Sequence, residues 1–399
     1  MQVPNGRNTS LRLAAILGNL ICLLIALSVL SGCSGPGSTS GGTNPPPPTH
    51  FLLVSDSGTN RVVVYPSPFS NGMNAATVLG QASFTTSAAV LTASGMSAPA
   101  EAIEDSSGNV WVTDQLKNRV LQFKAPLSNG MNASVVIGQP DFVTGTANTT
   151  QNGLSGPVGM AFDASGNLWV ADLGNNRVLE YQPPFATHMN ASVVLGQPDF
   201  TSVNFVTTSS GLVTPFFVAF DASGDLWVSD TGNNRVLEFK PPFVNGMGAS
   251  LVVGQPDFVS SASATTASTL NFPTGIALDG SGNLWVGDTT NNRVLEFQPA
   301  FATGMSASLV LGQANFTSSS TATTQNGFFN PFGVGFDSSG NLGVADFGNN
   351  RTLGFAPPFS TNMNAGLVLG QPNFTSSVTA ATSASEISPI AVSAATGTH

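Results

Sequence analysis

Apolar residues in this chain come in runs of three to five, separated by polar turns. Val158-Gly159-Met160-Ala161-Phe162 is followed by the turn Asp163-Ala164-Ser165-Gly166-Asn167. Leu168-Trp169-Val170-Ala171 is a second run, ended by Asp172-Leu173-Gly174-Asn175-Asn176. Arg177 to Tyr181 is a third, closed by Pro183-Pro184, and Ser192 to Leu195 a fourth, closed by Gly196-Gln197-Pro198. Runs this short, bounded by Gly, Asn, Asp and Pro, predict strands rather than helices.

The pattern recurs. Arg61, Arg119, Arg177, Arg235, Arg293 and Arg351 stand 58 residues apart. Asp56, Asp114, Asp172, Asp230, Asp288 and Asp346 keep the same interval, as do Pro99, Pro157, Pro215, Pro273, Pro331 and Pro389. Four short strands per unit at this period predict a propeller blade. The two ends of the array are complementary. Pro389-Ile390-Ala391-Val392 matches a first strand, whereas Phe51-Leu52-Leu53-Val54 matches a second strand with no first strand before it. A linear stack would need polar caps at both ends. The chain is therefore expected to be an all-β, six-bladed β-propeller over residues 51–399, with four antiparallel strands per blade. Its C-terminal strand is expected to join the N-terminal blade and close the ring.

Composition agrees and excludes some partners. Only 8% of residues are charged, with 43 Gly and 26 Pro, which disfavours helix. The formal net charge is −10 and no basic run exists, so nucleic acid is not an expected partner. His50, His188 and His399 are the only histidines, too few for a three-histidine zinc centre within the folded part. No metal site and no cofactor are expected.

Before the array, Arg7 and Arg12 precede an apolar stretch from Leu13 to Leu30, followed by Ser31-Gly32-Cys33. Residues 1–32 resemble a bacterial lipoprotein signal peptide, which implies cleavage before Cys33 and lipidation of its thiol. An uncleaved membrane-spanning segment is the alternative. Residues 33–50, Gly/Ser-rich and then proline-rich, read as a tether reaching at most about 50 Å at about 3.1 Å per residue. The expected address is the bacterial cell envelope, extracytoplasmic and held to the membrane by the lipid anchor. Ser34 after the cysteine favours an outer membrane if there is one.

The segment GPVGMAFDASGNLWVADLGNNRVLEY, residues 156–181, resembles an NHL repeat, whose pattern runs Pro, Gly, Asp, Gly-Asn, Asp, Asn, Arg. The match recurs through the six units, with Pro, the second Asp, Asn and Arg present in every one. The units are longer than the usual NHL repeat, around PPFxxGMNAS and after GQPDF. The resemblance implies a propeller and leaves function open.

Residues repeated six-fold read as scaffold, because a catalytic centre needs differentiated groups. The Asp–Asn–Arg set and the Met set beginning at Met73 fall in this class. So does the Trp set (Trp111, Trp169, Trp227, Trp285), in which Leu53 and Gly343 are the exceptions and Gly343 predicts a locally looser sixth unit. Places where one copy differs are the candidates for function. Glu101 aligns with Gly159, Phe217, Gly275 and Gly333, and Glu104 with Phe162, Phe220, Leu278 and Phe336. Lys117 stands where Thr59, Asn175, Asn233, Asn291 and Asn349 stand in other copies. Glu101, Glu104 and Lys117 are therefore candidate ligand-binding residues, with Glu101 and Lys117 expected to meet at the mouth of the central channel. A local ion pair without a ligand is the competing account.

Function follows in two readings. The first is a membrane-tethered, extracytoplasmic binding or scaffolding module that presents a loop face to a protein or glycan partner, since the Ser/Thr-rich connections differ between copies. The second is a metal-dependent hydrolase or lyase of the gluconolactonase-like or amidating-lyase-like propeller type. No catalytic residue is assigned, and an enzymatic role is placed second.

Overall fold

A computed structural model of the chain describes residues 50–395. Apart from His50, the expected leader and tether lie outside the described residues, Cys33 among them. Among the described residues, twenty-four strands form six separate four-stranded antiparallel sheets. In blade three they are Pro157–Phe162, Leu168–Asp172, Arg177–Tyr181 and Val193–Leu195. These bounds lie within a residue of those read from the apolar runs. Blades two, four, five and six repeat the arrangement from Pro99, Pro215, Pro273 and Pro331.

Blade one closes the ring. Its sheet runs Pro389–Ala395, Phe51–Asp56, Arg61–Pro66, Thr77–Leu79, so the last strand of the chain pairs with the first. Phe51 stands opposite Ala395 and Val54 opposite Val392. Closure without a covalent link leaves no terminal sheet to cap.

Strand direction fixes two faces. The second-to-third turns and the fourth-to-first connections begin and end on one of them, here called the loop face. The first-to-second turns and third-to-fourth loops lie on the other, the turn face. Each second-to-third turn is a single turn of 3-10 helix, such as Leu173–Asn175, ended by an asparagine in the left-handed region (Asn176, φ 53°). Asparagine tolerates that region better than most side chains. The amide of Asn176 has a second use: its Oδ1 accepts from the Thr214 N–H at 2.9 Å, stitching blade three to blade four. The long connections also fold over the outer edge of the ring, as where Ala133 N–H donates to Ala93 O at 2.8 Å. That cover protects the short outer strands.

The core lies between neighbouring blades. Trp111, Trp169, Trp227 and Trp285 are fully buried. Trp169 meets Phe243 of the next blade edge-on, with ring centroids 4.7 Å apart and planes at 66°. Such a pair contributes about 0.5–1.5 kcal/mol beyond its area. Methionines Met131, Met189 and Met247 pack partly buried against the same inter-blade clusters, sealing the third-to-fourth loops.

Candidate functional site

The six-fold Asp–Arg set is a buried clamp. Each Arg Nε lies 2.6–2.8 Å from its Asp Oδ2, with both side chains fully buried. Arg177 Nη2 also donates to Thr150 O and Gly153 O at 2.9 Å, and Nη1 to Phe200 O. One guanidinium thus ties its own blade to the connections entering and leaving it. Burial raises the carboxyls of Asp114 and Asp346 to about 6 against the opposing pull of Arg119 and Arg351. A group held this way offers nothing to a ligand.

The central channel is lined by the first strands. Ala100, Val158, Phe216, Thr274, Phe332 and Ile390, one from each blade, are all buried at its loop-face end. Phe216 and Phe332 approach with ring centroids 6.1 Å apart. The channel is stoppered at this end. Glu101 lies one residue further along its strand, partly exposed, and its Oε2 accepts from Met160 N–H of the next blade. Its own N–H donates to Thr113 Oγ1 at 2.8 Å. Burial pushes the Glu101 carboxyl up to about 8, with the Met160 hydrogen bond opposing.

The structure does not bring the three sequence candidates together. No ion pair joins Glu101 to Lys117 among the described residues. Lys117 ends the 3-10 turn Gln115–Lys117 on the loop face, where its charge helps to hold Asp114 ionised. Glu104 sits at the far end of the strand, near the turn at Gly108. The stopper ring separates Lys117 from Glu101, and two residues, Ala102 and Ile103, lie between Glu101 and Glu104. His188 is exposed, 3.1 Å from Asn152 Nδ2.

Two asymmetric groups were missed by the sequence reading. On the turn face of blade four, Asp221, Asp225 and Glu238 place carboxylate oxygens within 4.8 Å of one another. Lys240 Nζ reaches Asp225 Oδ2 at 2.5 Å and Glu238 Oε1 at 3.2 Å, and the hydrogen bond to Asp225 raises the ammonium above its ordinary value. The chain supplies its own cation there. A cleft of about 480 Å³ lies alongside, lined by Ser223, Lys240, Pro299 and Phe301 among others. The signal was Asp225 in a position held by Asn109, Asn167, Asn283 and Asn341. The second group is Glu386, fully buried at the seam between blades six and one. Burial pushes its carboxyl up to about 8. It stands where Met96, Leu154, Leu212, Leu270 and Phe328 stand in the other copies.

Comparison with known proteins supports the repeat reading. The NHL repeat pattern matches residues 154–181, 214–239 and 270–297. No curated protein matches the chain. A protein of unknown function from Bacteroides caccae superposes with a TM-score of 0.52 at 9% identity, covering 87% of this chain and 99% of that one. A catalytically inactive virginiamycin B lyase from Staphylococcus aureus gives 0.41 at 12% identity, covering 76% of each chain. A chain of a nidogen–laminin complex gives 0.49 at 13% identity, covering 87% of this chain and 98% of that one. At these identities the likeness concerns the fold alone.

Proposed function

We propose that this chain, a six-bladed propeller built of NHL repeats, is a membrane-tethered extracytoplasmic module that binds or scaffolds a protein or glycan partner through its loop face. One observation carries the reading. Among the described residues, nine of the ten exposed large hydrophobic side chains lie in the second-to-third turns or in the fourth-to-first connections, which leave from the loop face and fold over the outer edge, and Val244 is the exception. Val203, Phe205 and Val206 stand together in the connection between blades three and four, with Phe205 54% exposed. Apolar side chains gathered on variable connections of a rigid ring are the usual makings of a recognition surface.

The entry of the chain suits this arrangement. Phe51 begins a second strand, so His50 lies on the turn face, where its ring nitrogen is 3.3 Å from Ser338 Oγ. The described part of the chain thus enters the ring on the face opposite the loop face. Glu101, Glu104 and Lys117 remain candidate ligand contacts, though the stopper ring directs attention to the outer connections instead.

The test is capture from envelope extracts by the immobilised chain. Val203→Ser with Phe205→Ser and Val206→Ser should abolish retention of the specific partner, and Val244→Ser should leave it intact. Equal retention by both variants rejects the loop face as the binding surface.

A further inference from the structure

Blade six departs from the others around one seam. Gly343 replaces the tryptophan of blades two to five, and Gly354 replaces the glutamate that pairs across the strand with that tryptophan in blades three to five, as Glu180 does with Trp169. On the neighbouring blade Ala394 replaces the large apolar residue of the other tryptophan seams (Phe162, Phe220, Leu278 and Phe336), of which Phe336, for example, abuts Trp285. Three large side chains that fill the seams following blades three to five are reduced here to two glycines and an alanine.

The receiving half of the seam survives. In blades two to five the indole packs edge-on against a phenylalanine of the next blade, with centroids 4.7–4.8 Å apart. Its Nε1–H donates to an aspartate Oδ2 at 2.8–3.2 Å. At the seam between blades six and one, Phe69 holds the phenylalanine position and Asp337 the aspartate position. Asp337 Oδ2 accepts from Asn341 Nδ2 at 2.8 Å, with no indole to donate to it. A cavity of about 470 Å³ lies here, walled by Phe69, Asp337, Gly343, Gly354, Phe355 and Leu367. The cleft at blade four has no such floor, because Trp227 is in place and fully buried.

We propose that this seam is a binding site for an indole ring bearing a free N–H. The four intact seams serve as its template: the ring lies edge-on to Phe69 and donates its N–H to Asp337. The cavity falls in the range of roughly 300–1,000 Å³ typical of small-ligand pockets. Asp337 confers the selectivity, because a ring without a donor would shield its Oδ2 from water and supply none of the hydrogen bond that the indole gives in the intact seams, leaving that oxygen the Asn341 bond alone. The site is on the turn face and does not depend on the loop-face reading. The ring can come from free indole or from a tryptophan side chain of a partner peptide.

The experiment is calorimetric titration of the intact chain with indole, 1-methylindole and N-acetyl-tryptophanamide. Indole should bind saturably and 1-methylindole about tenfold more weakly, the loss expected for one charge-assisted hydrogen bond. Asp337→Asn should bring indole down to the level of 1-methylindole. Gly343→Trp should abolish binding by filling the site with the repeat's own residue. A Cβ at Gly343 meets Val392 Cγ1 at 3.1 Å, so Ala394→Phe, which fills the same space from the other blade, serves as the second blocking variant. Tight N-acetyl-tryptophanamide binding points to a peptide source, and binding of indole alone to a free small molecule. Absence of saturable indole binding, or binding unchanged in both blocking variants, overturns the proposal.

Discussion

The hydroxyl of Thr352 donates to Glu386 Oε2 at 2.8 Å, and both residues stand where the other five repeats are apolar. Thr352 occupies the position of Val62, Val120, Val178, Val236 and Val294. The second carboxylate oxygen of Glu386 makes no hydrogen bond of good geometry, and the hydroxyl of Tyr65, which faces the carboxyl from the closing blade, offsets the effect of burial only in part. Asp56 adds negative charge nearby, partly offset by Arg61. A buried carboxyl in this setting is stable only when protonated.

Stability should therefore fall as the solution becomes alkaline. The folded Glu386 carboxyl sits at about 8, against an ordinary 4.5, so the native state holds a proton that the unfolded chain releases first. Its contribution is complete below about pH 4.5 and is lost as pH rises towards 8, at about 1.4 kcal/mol per unit of pKa difference. Glu101 acts in the same direction. Urea midpoints should be higher at pH 5 than at pH 8.5. Glu386→Leu combined with Thr352→Val, which restores the residues of the other repeats, should raise the midpoint at pH 8.5 and flatten the profile.

Removing one half of a buried clamp should be severe. Arg177→Met leaves Asp172 charged, buried and without its counter-ion, and frees the carbonyls of Thr150 and Gly153. The expected loss is about 3–5 kcal/mol in equilibrium unfolding. Lys117→Ala, at a partly exposed turn, should change stability by less than about 0.5 kcal/mol. Similar effects from the two would show that the clamps are not structural.

The blade-four carboxylates should reveal themselves only when their lysine is removed. Lys240→Met leaves Asp221, Asp225 and Glu238 facing one another without the ammonium. Its thermal midpoint should drop, and added Ca²⁺ should restore it by mass action. The unaltered chain should show no such rise. A Ca²⁺ response in the unaltered chain that Glu238→Gln abolishes would mean that a cation displaces Lys240, and would strengthen the hydrolase or lyase reading.

Cutting an indole from an intact seam should cost about 3–5 kcal/mol, as for other buried aromatic truncations. Trp169→Ala leaves Phe220 and Phe243 facing a void, and a melt followed by circular dichroism should record the loss.

Much of the fold was legible because each copy restates it. The apolar runs of residues 158–195 marked the strands, and the phase difference between Phe51 and Pro389 marked the closure. Interactions across blades were less accessible. The bond from Asn176 Oδ1 to Thr214 and the meeting of Phe216 with Phe332 join residues that no local pattern connects. The stopper ring hides in this way: its members are Ala, Val, Phe, Thr, Phe and Ile, and only their convergence gives them a role. Gly343 stood out in the sequence as the glycine in the tryptophan position, and Asp225, Glu386 and Gly354 were readable in principle by the same comparison of copies. What the comparison could not supply was the third dimension, in which Lys240 neutralises one group, Thr352 supports another and Ala394 enlarges the third.

The most direct test of the loop-face account is hydrogen–deuterium exchange on the chain with and without its captured partner. Protection should concentrate in residues 197–213 and 255–272, with the first-to-second turns such as residues 163–167 unchanged. Protection confined to those turns, with the long connections exchanging as in the free chain, would contradict it.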